Sequence, residues 1–568
     1  MIQRYKYFLL PVASGVLLAL SQPSFPAGQW GRFLIWFALV PLLFFVQRED
    51  LSKRRVFFGG FLAGLIFLGT SVSWFWGAYP LDWAGIENKF LGFPLTLFIW
   101  LLSAAELALF IGLFSLTLNY FFKKASAKIS QFWLLFFIPS LWILFEYFRA
   151  WGFGVFWLGS ESLLGPHWTF GNLAYSLAES APLLQLASIG GIYGLSFLIV
   201  FVNAALFRTV QTNGGSFQRL IMPGDWNRRA LKNFSPLIAA ALLISVLYPA
   251  GWLILKNKNV SGKETKVAIL QTKIPSTFQP TFQRQMEILT QQFSLLAEVV
   301  KNGKDSEIIV FPEGANLIGV LGEERSKNFF NEIFEGKQKL IIDSGPMIDE
   351  NDKLSIATFY FDPQKGVLAQ DEKHFLMPLG EYLPYWFKAA ATIAGEGEWT
   401  RRFEERRGYK KGPENEVFTW EDGRQKQKFA SLLCSGFLSP NMNRRAAGAD
   451  AEVLVVSGSE SIFRGAPSLV KQKIAMAKFR AVENNRFYLQ ATNYDRAFII
   501  NSKGQIQKIA PNLEPTVLVD NIVFISEKTW YTKLGDWILI LALLIIIAAN
   551  KPRLEVLQRG LRQQGLKT

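Results

Sequence analysis

Three residues with reactive side chains follow apolar stretches of this sequence. Cys434, the only cysteine in 568 residues, comes directly after the run Ala430-Ser-Leu-Leu. Glu313 ends the stretch that begins Glu307-Ile-Ile-Val, and Lys373 lies eight residues before a second carboxylate, Glu381. A lone cysteine is most often a small buried side chain, so Cys434 by itself indicates little. A carboxylate, an ammonium and a thiol at three strand ends, however, form a set that can transfer an acyl group covalently.

The composition indicates a membrane protein that carries one soluble domain. Half of the residues are hydrophobic, 15% are aromatic and only 18% are charged, with a mean hydropathy of +0.20. These values are too apolar for a soluble enzyme of this length. The segment from about residue 263 to 530 nevertheless has the mixed charge of an ordinary globular sequence.

The composition and the motifs exclude several classes of protein. The net charge of +15 does not form a basic stripe interleaved with aromatic residues, so we expect no nucleic-acid partner. One cysteine excludes an intrachain disulfide, and two histidines leave little for a metal site. The sequence has no HExxH, paired CxxC, P-loop or dinucleotide motif. We therefore expect neither a metal nor a cofactor.

The apolar segments predict about eight transmembrane helices, since a span needs about 20 apolar residues. Their predicted positions are 7–22, 33–47, 56–79, 94–121, 131–149, 190–208, 235–254 and 534–550. The first could be a signal peptide, but no small-x-small cleavage site precedes Ser21 and further spans follow.

Lysine and arginine are distributed unevenly between the two sides of these spans, which predicts the orientation. With the N-terminus inside, the short outer loops hold only Arg32 and Lys89, and residues 150–189 hold none. The inner segments hold nineteen basic residues: Arg4, Lys6, Arg48, Lys53, Arg54, Arg55, Lys123, Lys124, Lys128, Arg208, Arg219, Arg228, Arg229, Lys232, Lys551, Arg553, Arg559, Arg562 and Lys567. We therefore expect both termini inside and the globular domain outside.

Two aromatic segments allow more than one interpretation. Residues 150–189 include Trp151, Trp157 and Trp168, which form either an aromatic belt or a lipid-facing wall beside the catalytic domain. Glu146 and Arg149 before this loop are candidates for a role, because ionisable groups near a membrane are costly. Residues 382–411 suit either a packed insertion, which we favour, or an interfacial lid.

The globular segment alternates short apolar runs with helical patterns, which predicts a sandwich of sheets with helices outside. We expect helices at Phe282–Asn302, Lys327–Glu335 and Ser468–Asn484. The predicted strands are Val267–Gln271, Glu307–Phe311, Lys339–Asp343, Ala357–Phe361, Phe429–Cys434, Glu452–Val456, Phe487–Ala491 and Ala497–Asn501.

Four motifs in this order resemble those of apolipoprotein N-acyltransferases, membrane-bound members of the nitrilase superfamily. They are Ile309-Val-Phe-Pro-Glu313, the segment from Lys373 to Pro384, Leu433-Cys434, and Arg480-Ala-Val-Glu483. The resemblance covers nearly the whole chain. It implies a bundle of seven helices over 1–255, a nitrilase-like αββα sandwich over 263–530, a final span over 534–550 and a basic cytoplasmic tail over 551–568.

The resemblance also implies the activity. The family's Glu-Lys-Cys triad maps onto Glu313, Lys373 and Cys434, and the cysteine would take an acyl chain from a phospholipid as a thioester. The chain would then pass to the free α-amine of a lipoprotein's diacylglyceryl cysteine. Such an enzyme lies in the cytoplasmic (inner) membrane of a bacterium, with its catalytic domain on the periplasmic side; we expect a monomer.

The chemistry of the three residues agrees with this assignment. A thiol with a pKa near about 8.5 is mostly protonated at neutral pH, so Glu313 would take its proton and later return it. Lys373 and backbone N–H groups after Cys434 would stabilise the oxyanion, and Glu381 would hold Lys373 or Glu313 in place.

The sequence departs from the family pattern around the acceptor and acyl pocket. A Tyr-Glu pair usually follows the cysteine, but Ser435 and Gly436 stand here. A tryptophan expected after Gln271–Pro275 is missing, with Pro280 near its place, and Glu460 is a candidate replacement for a lost carboxylate. Two alternatives therefore stay open: a membrane-tethered amidohydrolase of nitrilase type, and a catalytically impaired scaffold.

Overall fold

The computed structural model describes residues 8–25, 31–125, 131–213, 228–258, 260, 262, 264–278, 281–348, 352–414, 416–421 and 426–549. A helical part precedes an α/β domain, and one more helix follows it. The predicted cytoplasmic tail and Pro280 lie outside the described residues, as do Arg4, Lys6, Lys128 and Arg219.

The helical part contains nine α-helices within the described residues. They are α1 Leu9–Ser21, α2 Gly31–Leu34, α3 Val40–Val46, α4 Lys53–Ser71, α5 Lys89–Ala125, α6 Gln131–Phe156, α7 Ala181–Gln185, α8 Ala187–Thr212 and α9 Arg228–Asn257. Short 3-10 turns at Ser73–Ala78, Leu81–Ala84 and Leu173–Leu177 lie between them.

Four helices in the described part of the chain are long and apolar enough to cross a membrane: Lys89–Lys123, Trp133–Phe156, Ala187–Thr212 and Asn233–Asn257. They overlap the predicted fourth to seventh spans, so the chain is a membrane protein. The apolar helices Leu9–Ser21 and Trp537–Ala549 are shorter. The total of eight spans stays a prediction.

Small residues let α4 and α5 pack closely. A Cβ added at Gly60 would lie 2.2 Å from Ser115 Oγ, and one added at Gly64 would lie 3.0 Å from the Cα of Ala108. Close approach of two backbones is the usual means of helix association within a bilayer, where apolar side chains gain nothing by leaving lipid. These glycines therefore hold the helix pair together.

The described part of the α/β domain contains twelve strands: β1 Glu264–Thr272, β2 Ile308–Val310, β3 Leu340–Ile348, β4 Leu354–Asp362, β5 Gly366–Glu372, β6 Phe418–Glu421, β7 Lys426–Ser431, β8 Val453–Ser459, β9 Phe487–Asn493, β10 Phe498–Ile500, β11 Ile506–Ile509 and β12 Thr516–Val523. Their main order is β5-β4-β3-β2-β1-β9-β8-β7-β6. β1, β2 and β3 run parallel, as do β7, β8 and β9. The two halves join where Gln271 pairs with Thr492 and Thr272 pairs with Asn493.

Alternating side chains show that the two halves pack face to face. Val267 of β1 and Val453 of β8 belong to one buried cluster between the halves. Ala268 faces the other way, into a cluster with Leu295 and Val299, and Leu454 faces a third cluster with Phe479. Because the side-chain period of a strand is two, each half covers one shared core and one helical layer. The predicted sandwich with outer helices is therefore present.

The helices of this domain and its C-terminal side complete the fold. They are α10 Phe282–Gly303, α11 Leu317–Leu321, α12 Glu323–Ile333, α13 Tyr385–Ile393, α14 Gly397–Arg407, α15 Pro440–Gly448, α16 Pro467–Asn484, α17 Trp530–Leu534 and α18 Trp537–Ala549.

Helix α16 attaches the domain to the helical part. Gln472 donates its side-chain N–H to the Ser71 carbonyl at 2.5 Å, and Lys478 pairs with Glu179 at 2.7 Å. The ring of Phe479 meets Tyr175 edge-on at 5.3 Å. These contacts place the carboxyl ends of the β8 and β9 strands beside the membrane helices.

Candidate active site

Glu313 lies three residues beyond the end of β2. Main-chain bonds fix this segment, because the Phe311 N–H donates to the Ile342 carbonyl at 2.9 Å and the Phe311 carbonyl accepts from Ser457 Oγ at 2.8 Å. The Glu313 side chain is only 8% exposed. Its carboxylate thus lies just beyond a strand end, as the sequence predicts, and in a largely buried position.

Lys373 follows β5 and contacts both predicted carboxylates. Its Nζ donates to Glu313 Oε1 at 2.8 Å and to Glu381 Oε1 at 2.5 Å, and its side chain is 1% exposed. Burial alone would lower the pKa of Lys373, but the Glu313 and Glu381 carboxylates outweigh it and hold this pKa well above its usual value. Lys373 is therefore a charged ammonium.

Glu381 is fixed by its own loop. Its Oε2 accepts the Met377 N–H at 2.8 Å, while Oε1 accepts from Lys373. Burial raises the pKa of Glu381, and the Lys373 ammonium opposes that rise. The predicted supporting position of Glu381 therefore agrees with its contacts.

Cys434 departs from the predicted strand geometry. Strand β7 ends at Ser431, so the prediction of a strand through Cys434 is wrong, and Cys434 opens a 3-10 turn that runs to Leu438. Its φ of +40° is in the left-handed region, which costs a side chain with a Cβ about 1–3 kcal/mol. The turn replaces the strand because the chain must bend sharply where the thiol enters the cavity.

The thiol of Cys434 is protonated at rest. Burial raises its pKa well above the ordinary value and the Glu313 carboxylate raises it further, while the Lys373 ammonium opposes both. The Sγ lies 3.8 Å from the Ser459 carbonyl oxygen, within reach of a weak S–H donation. A base must therefore remove the proton when a substrate arrives.

The two residues after Cys434 serve packing. Ser435 Oγ donates to the Phe375 carbonyl, and the Gly436 N–H donates to the Leu433 carbonyl at 3.1 Å. A Cβ added at Gly436 would lie 2.6 Å from the Cβ of Leu432. The Gly436 N–H is thus already used within the turn.

Glu460, the other predicted supporting residue, belongs to a second buried ion cluster. Glu460 pairs with Lys473, and Lys473 also lies 2.8 Å from Asp495. The Oε2 of Glu460 accepts from Thr492 Oγ1 at 2.9 Å. Sequence reasoning missed Lys473 and Asp495. Lys473 is one of three lysines in α16, and no local pattern distinguishes it from the other two.

A cavity of about 490 Å³ joins these groups to the membrane helices. Glu313, Glu381, Cys434 and Glu460 all line it. The helical part contributes apolar walls that include Trp74, Leu95, Ile99, Phe153, Trp157, Trp168 and Phe170. The side chains of Trp157 and Trp168 are almost fully buried, so the aromatic residues of 150–189 form a cavity wall more than an exposed belt.

Glu146 and Arg149 are buried and form hydrogen bonds within the helical part. Glu146 Oε1 accepts the Leu173 N–H, and Arg149 donates to Asn172 Oδ1, each at 2.9 Å. These bonds fix the loop that carries Trp168 and Phe170 to helix α6. Both residues therefore support the cavity wall.

Residues 382–411 combine a packed face with an exposed one. The Tyr382 hydroxyl donates to the Trp157 carbonyl at 3.0 Å, and Trp399 donates to the Ala84 carbonyl at 3.1 Å. Helix α13 contributes no buried side chain, and Ile393 is 88% exposed. The segment is therefore anchored to the helical part while it presents apolar side chains outward.

The described residues contain no group of three or more histidine, cysteine, aspartate or glutamate side chains that could hold a metal ion.

The site combines a buried thiol, two carboxylates and an ammonium group beside a cavity that extends to membrane-spanning helices. Residues 14–205 match the family model described as the apolipoprotein N-acyltransferase N-terminal domain. An apolipoprotein N-acyltransferase of Geobacter metallireducens is 26% identical over 543 residues, which cover 93% of this chain and 92% of that protein. One of Gloeobacter violaceus is 25% identical over 553 residues, with coverage of 96% and 94%. The resemblance predicted from the motifs is confirmed, since the chain is similar to these apolipoprotein N-acyltransferases over more than nine-tenths of its length.

Among solved structures, an amidase from Nesterenkonia sp. aligns with a TM-score of 0.32 and 17% identity, covering 47% of this chain and 93% of its own. A cysteine mutant of the Nesterenkonia AN1 amidase from the nitrilase superfamily aligns with the same TM-score and identity over 46% of this chain and 92% of its own.

Proposed function

We propose that Cys434, Glu313 and Lys373 transfer an acyl chain from a phospholipid to the α-amine of a lipoprotein's diacylglyceryl cysteine. The observation that carries the proposal is the shared cavity. Its reactive end holds Cys434 and Glu313, and apolar side chains of both the helical part and the α/β domain line much of the rest. A long acyl chain fits such a wall, because burying apolar surface is favourable by about 25 cal/mol per Å².

In the donor half-reaction Glu313 takes the proton of Cys434 as the sulfur attacks the ester carbonyl. The Lys373 ammonium stabilises the charge that develops on the carbonyl oxygen. Glu313 then gives the proton to the departing lysophospholipid oxygen, which leaves an acyl-cysteine thioester. Glu381 is a positioning residue, since it contacts Lys373 and the Met377 N–H.

In the acceptor half-reaction the amine attacks the thioester carbonyl, the carbon–sulfur bond breaks and the thiol is restored. The apolar cavity favours an amine over water as acceptor, because exclusion of water protects the thioester until the lipoprotein arrives. A simple amidohydrolase needs no wall of this kind.

We further propose that the catalytic domain lies on the periplasmic side of the inner membrane of a bacterium. Two basic residues lie at the end of the helical part that carries the loop between α3 and α4. Lys123 donates to the Leu51 carbonyl of this loop at 2.7 Å. Arg208 contacts Gln211, and Gln211 contacts Gln47 at the start of the loop. The domain contacts Ser71, Ala84 and Glu179, which belong to the segments joining the other ends. The positive-inside rule then places the basic end in the cytoplasm.

Intact-mass measurement of the purified protein tests the chemistry. Incubation with a diacyl glycerophospholipid should add the mass of one acyl chain to wild type, and hydroxylamine should remove it. The Cys434→Ala protein should gain no mass, and the Glu313→Gln protein should load at least about 10³-fold more slowly. The matched control is Glu287→Gln on α10, where Glu287 forms an exposed ion pair with Arg284. This variant should load like wild type.

A diacylated lipopeptide with a free N-terminus should discharge the loaded protein and form an amide, whereas its N-acetylated form should not. Steady release of fatty acid without lipopeptide would identify a hydrolase instead. A wild-type protein that never loads from any phospholipid would overturn the proposal and favour a scaffold.

A further inference from the structure

Two buried ion clusters, each of one lysine and two carboxylates, border Cys434. Glu313, Lys373 and Glu381 form the first, in which one ammonium contacts two carboxylates. Glu460, Lys473 and Asp495 form the second, with the same arrangement. The donor half-reaction uses the first cluster and leaves the second without a role.

The second cluster reaches the reaction site through Glu460. Both Glu460 and Cys434 line the cavity, and the Cys434 Sγ lies 3.8 Å from the carbonyl oxygen of Ser459, the residue before Glu460. Lys473 and Asp495 are 0% and 1% exposed, and neither lines the cavity. Lys473 therefore contacts Glu460 on the side away from the cavity, and Asp495 contacts Lys473.

The charge of the cluster is unbalanced. Two carboxylates share one lysine, so the ionised cluster carries one excess negative charge in a place with little water. A buried charge without a counter-charge is costly. A cation that enters the cavity beside Glu460 would balance it.

The groups that face Glu460 determine its proton affinity. Burial raises the pKa of Glu460 to about 7, the Lys473 ammonium opposes the rise and Asp495 adds to it. Thr492 donates a hydrogen bond to Oε2, and Cys434 and Tyr488 lie in the same surroundings. A carboxylate of this affinity can both hold an ammonium and accept a proton near neutral pH.

Within the described residues, those next to Cys434 offer no alternative binding group. Ser435 Oγ is committed to the Phe375 carbonyl, and the space beside Gly436 is filled by Leu432. Glu313 already serves as the proposed base for Cys434, and Glu381 as the group that positions Lys373. Glu460 is thus the carboxylate best placed for a cationic substrate.

We propose that Glu460 binds the α-ammonium of the acceptor and takes one of its protons before the amine attacks the Cys434 thioester. This inference rests on the proposed function and assigns the acceptor site within it.

The proton and bond balance of the step is complete. The ammonium gives one proton to the Glu460 carboxylate and becomes a neutral amine. Its nitrogen then forms the amide bond while the carbon–sulfur bond breaks, and Glu313 carries the second nitrogen proton to the thiolate. Glu460 afterwards releases its proton to water. No oxidant or cofactor takes part.

The test compares two nucleophiles on the same acyl-loaded protein. The Glu460→Gln protein should load from phospholipid within about threefold of wild type, because the donor half-reaction does not use Glu460. A diacylated lipopeptide with a free amine should discharge it at least about 100-fold more slowly. Hydroxylamine, which is neutral at pH 7, should discharge both proteins at similar rates.

Two further variants make the result specific. Glu460→Asp keeps the carboxylate and should recover part of the lipopeptide rate, and Glu405→Gln, an exposed α14 residue paired with Arg401, should match wild type. If the Glu460→Gln protein fails to load, the Asp495→Asn protein is tested instead. Asp495 does not line the cavity, so this change removes the excess negative charge of the cluster without altering the cavity wall. It should slow lipopeptide discharge about tenfold or more with hydroxylamine discharge unchanged.

The outcomes separate the two proposals. Equal slowing of lipopeptide and hydroxylamine discharge would indicate a merely structural role and overturn the inference. Unchanged lipopeptide discharge in the loaded Glu460→Gln protein would also overturn it. Failure of wild type to load would instead overturn the proposed function.

Discussion

The Nζ of Lys373 and the Oε1 of Glu313 lie 2.8 Å apart, where the two side chains are only 1% and 8% exposed. Because Glu381 contacts the same Nζ, the ammonium neutralises part of the charge on two carboxylates. This pairing lets three charged groups lie together where little water reaches them, as the proposed base, oxyanion stabiliser and positioning residue require.

Replacement of Lys373 by methionine should abolish turnover and destabilise the fold. It leaves two buried carboxylates without their counter-charge, which costs about 3–5 kcal/mol. The matched control is Lys388→Met, since the Lys388–Glu404 pair is exposed at 47% and 40% and contributes at most about 1 kcal/mol. Thermal unfolding in detergent should separate the two. A Lys373→Met protein as stable as Lys388→Met would contradict this account.

Alkylation of Cys434 should depend on pH in a way that reports its neighbours. Because the pKa of the thiol is raised, less thiolate is present at each pH, and iodoacetamide should react readily only above the ordinary thiol range near about 8.5. Glu313→Gln removes a charge that raises this pKa, so its alkylation curve should shift to lower pH. Lys373→Met should shift it to higher pH. Mass spectrometry is direct, since Cys434 is the only cysteine. Shifts of opposite sign would refute the electrostatic assignment.

A side chain at position 436 should disturb the turn that carries Cys434. In Gly436→Ala the new Cβ would meet the Cβ of Leu432 at 2.6 Å, and such overpacking costs about 1–3 kcal/mol. Gly448→Ala is the control, because nothing lies within 4 Å of a Cβ there. Acyl loading and unfolding temperature should both fall in the first variant and stay unchanged in the second. Equal behaviour would show that the turn tolerates a side chain.

A membrane-impermeant thiol reagent should establish the side on which the domain lies. In a Cys434→Ala background, Val320→Cys on α11 should be labelled in intact cells, because Val320 is 54% exposed on the catalytic domain. Glu49→Cys, on the exposed loop between α3 and α4, should be labelled only after the membrane is opened. The reverse pattern would overturn both the orientation and a periplasmic acceptor.

The predictable part of the site is the set of residues that end strands. Glu313 follows β2 as expected, since a short apolar run marks a buried strand. Lys373 follows β5, a strand that is not among those predicted from the sequence. Cys434 lies where expected along the chain, but its left-handed turn contradicts the predicted strand. A residue with a Cβ carries no local signal for a positive φ. The exposed and packed faces of residues 382–411 likewise depend on partners in the helical part that are distant in sequence.

The sequence by itself determined the membrane class, the family and the candidate triad, because apolar runs and motif order are properties of neighbouring residues. The tertiary structure alone decided which charges share a cavity. Lys373 and Glu313 are 60 residues apart, and Glu460 meets Thr492 across 32. Such contacts depend on strand register and sheet order, which place distant side chains within 3 Å and exclude water around them. The second ion cluster and the raised pKa of Cys434 follow from that packing, and no local pattern records it.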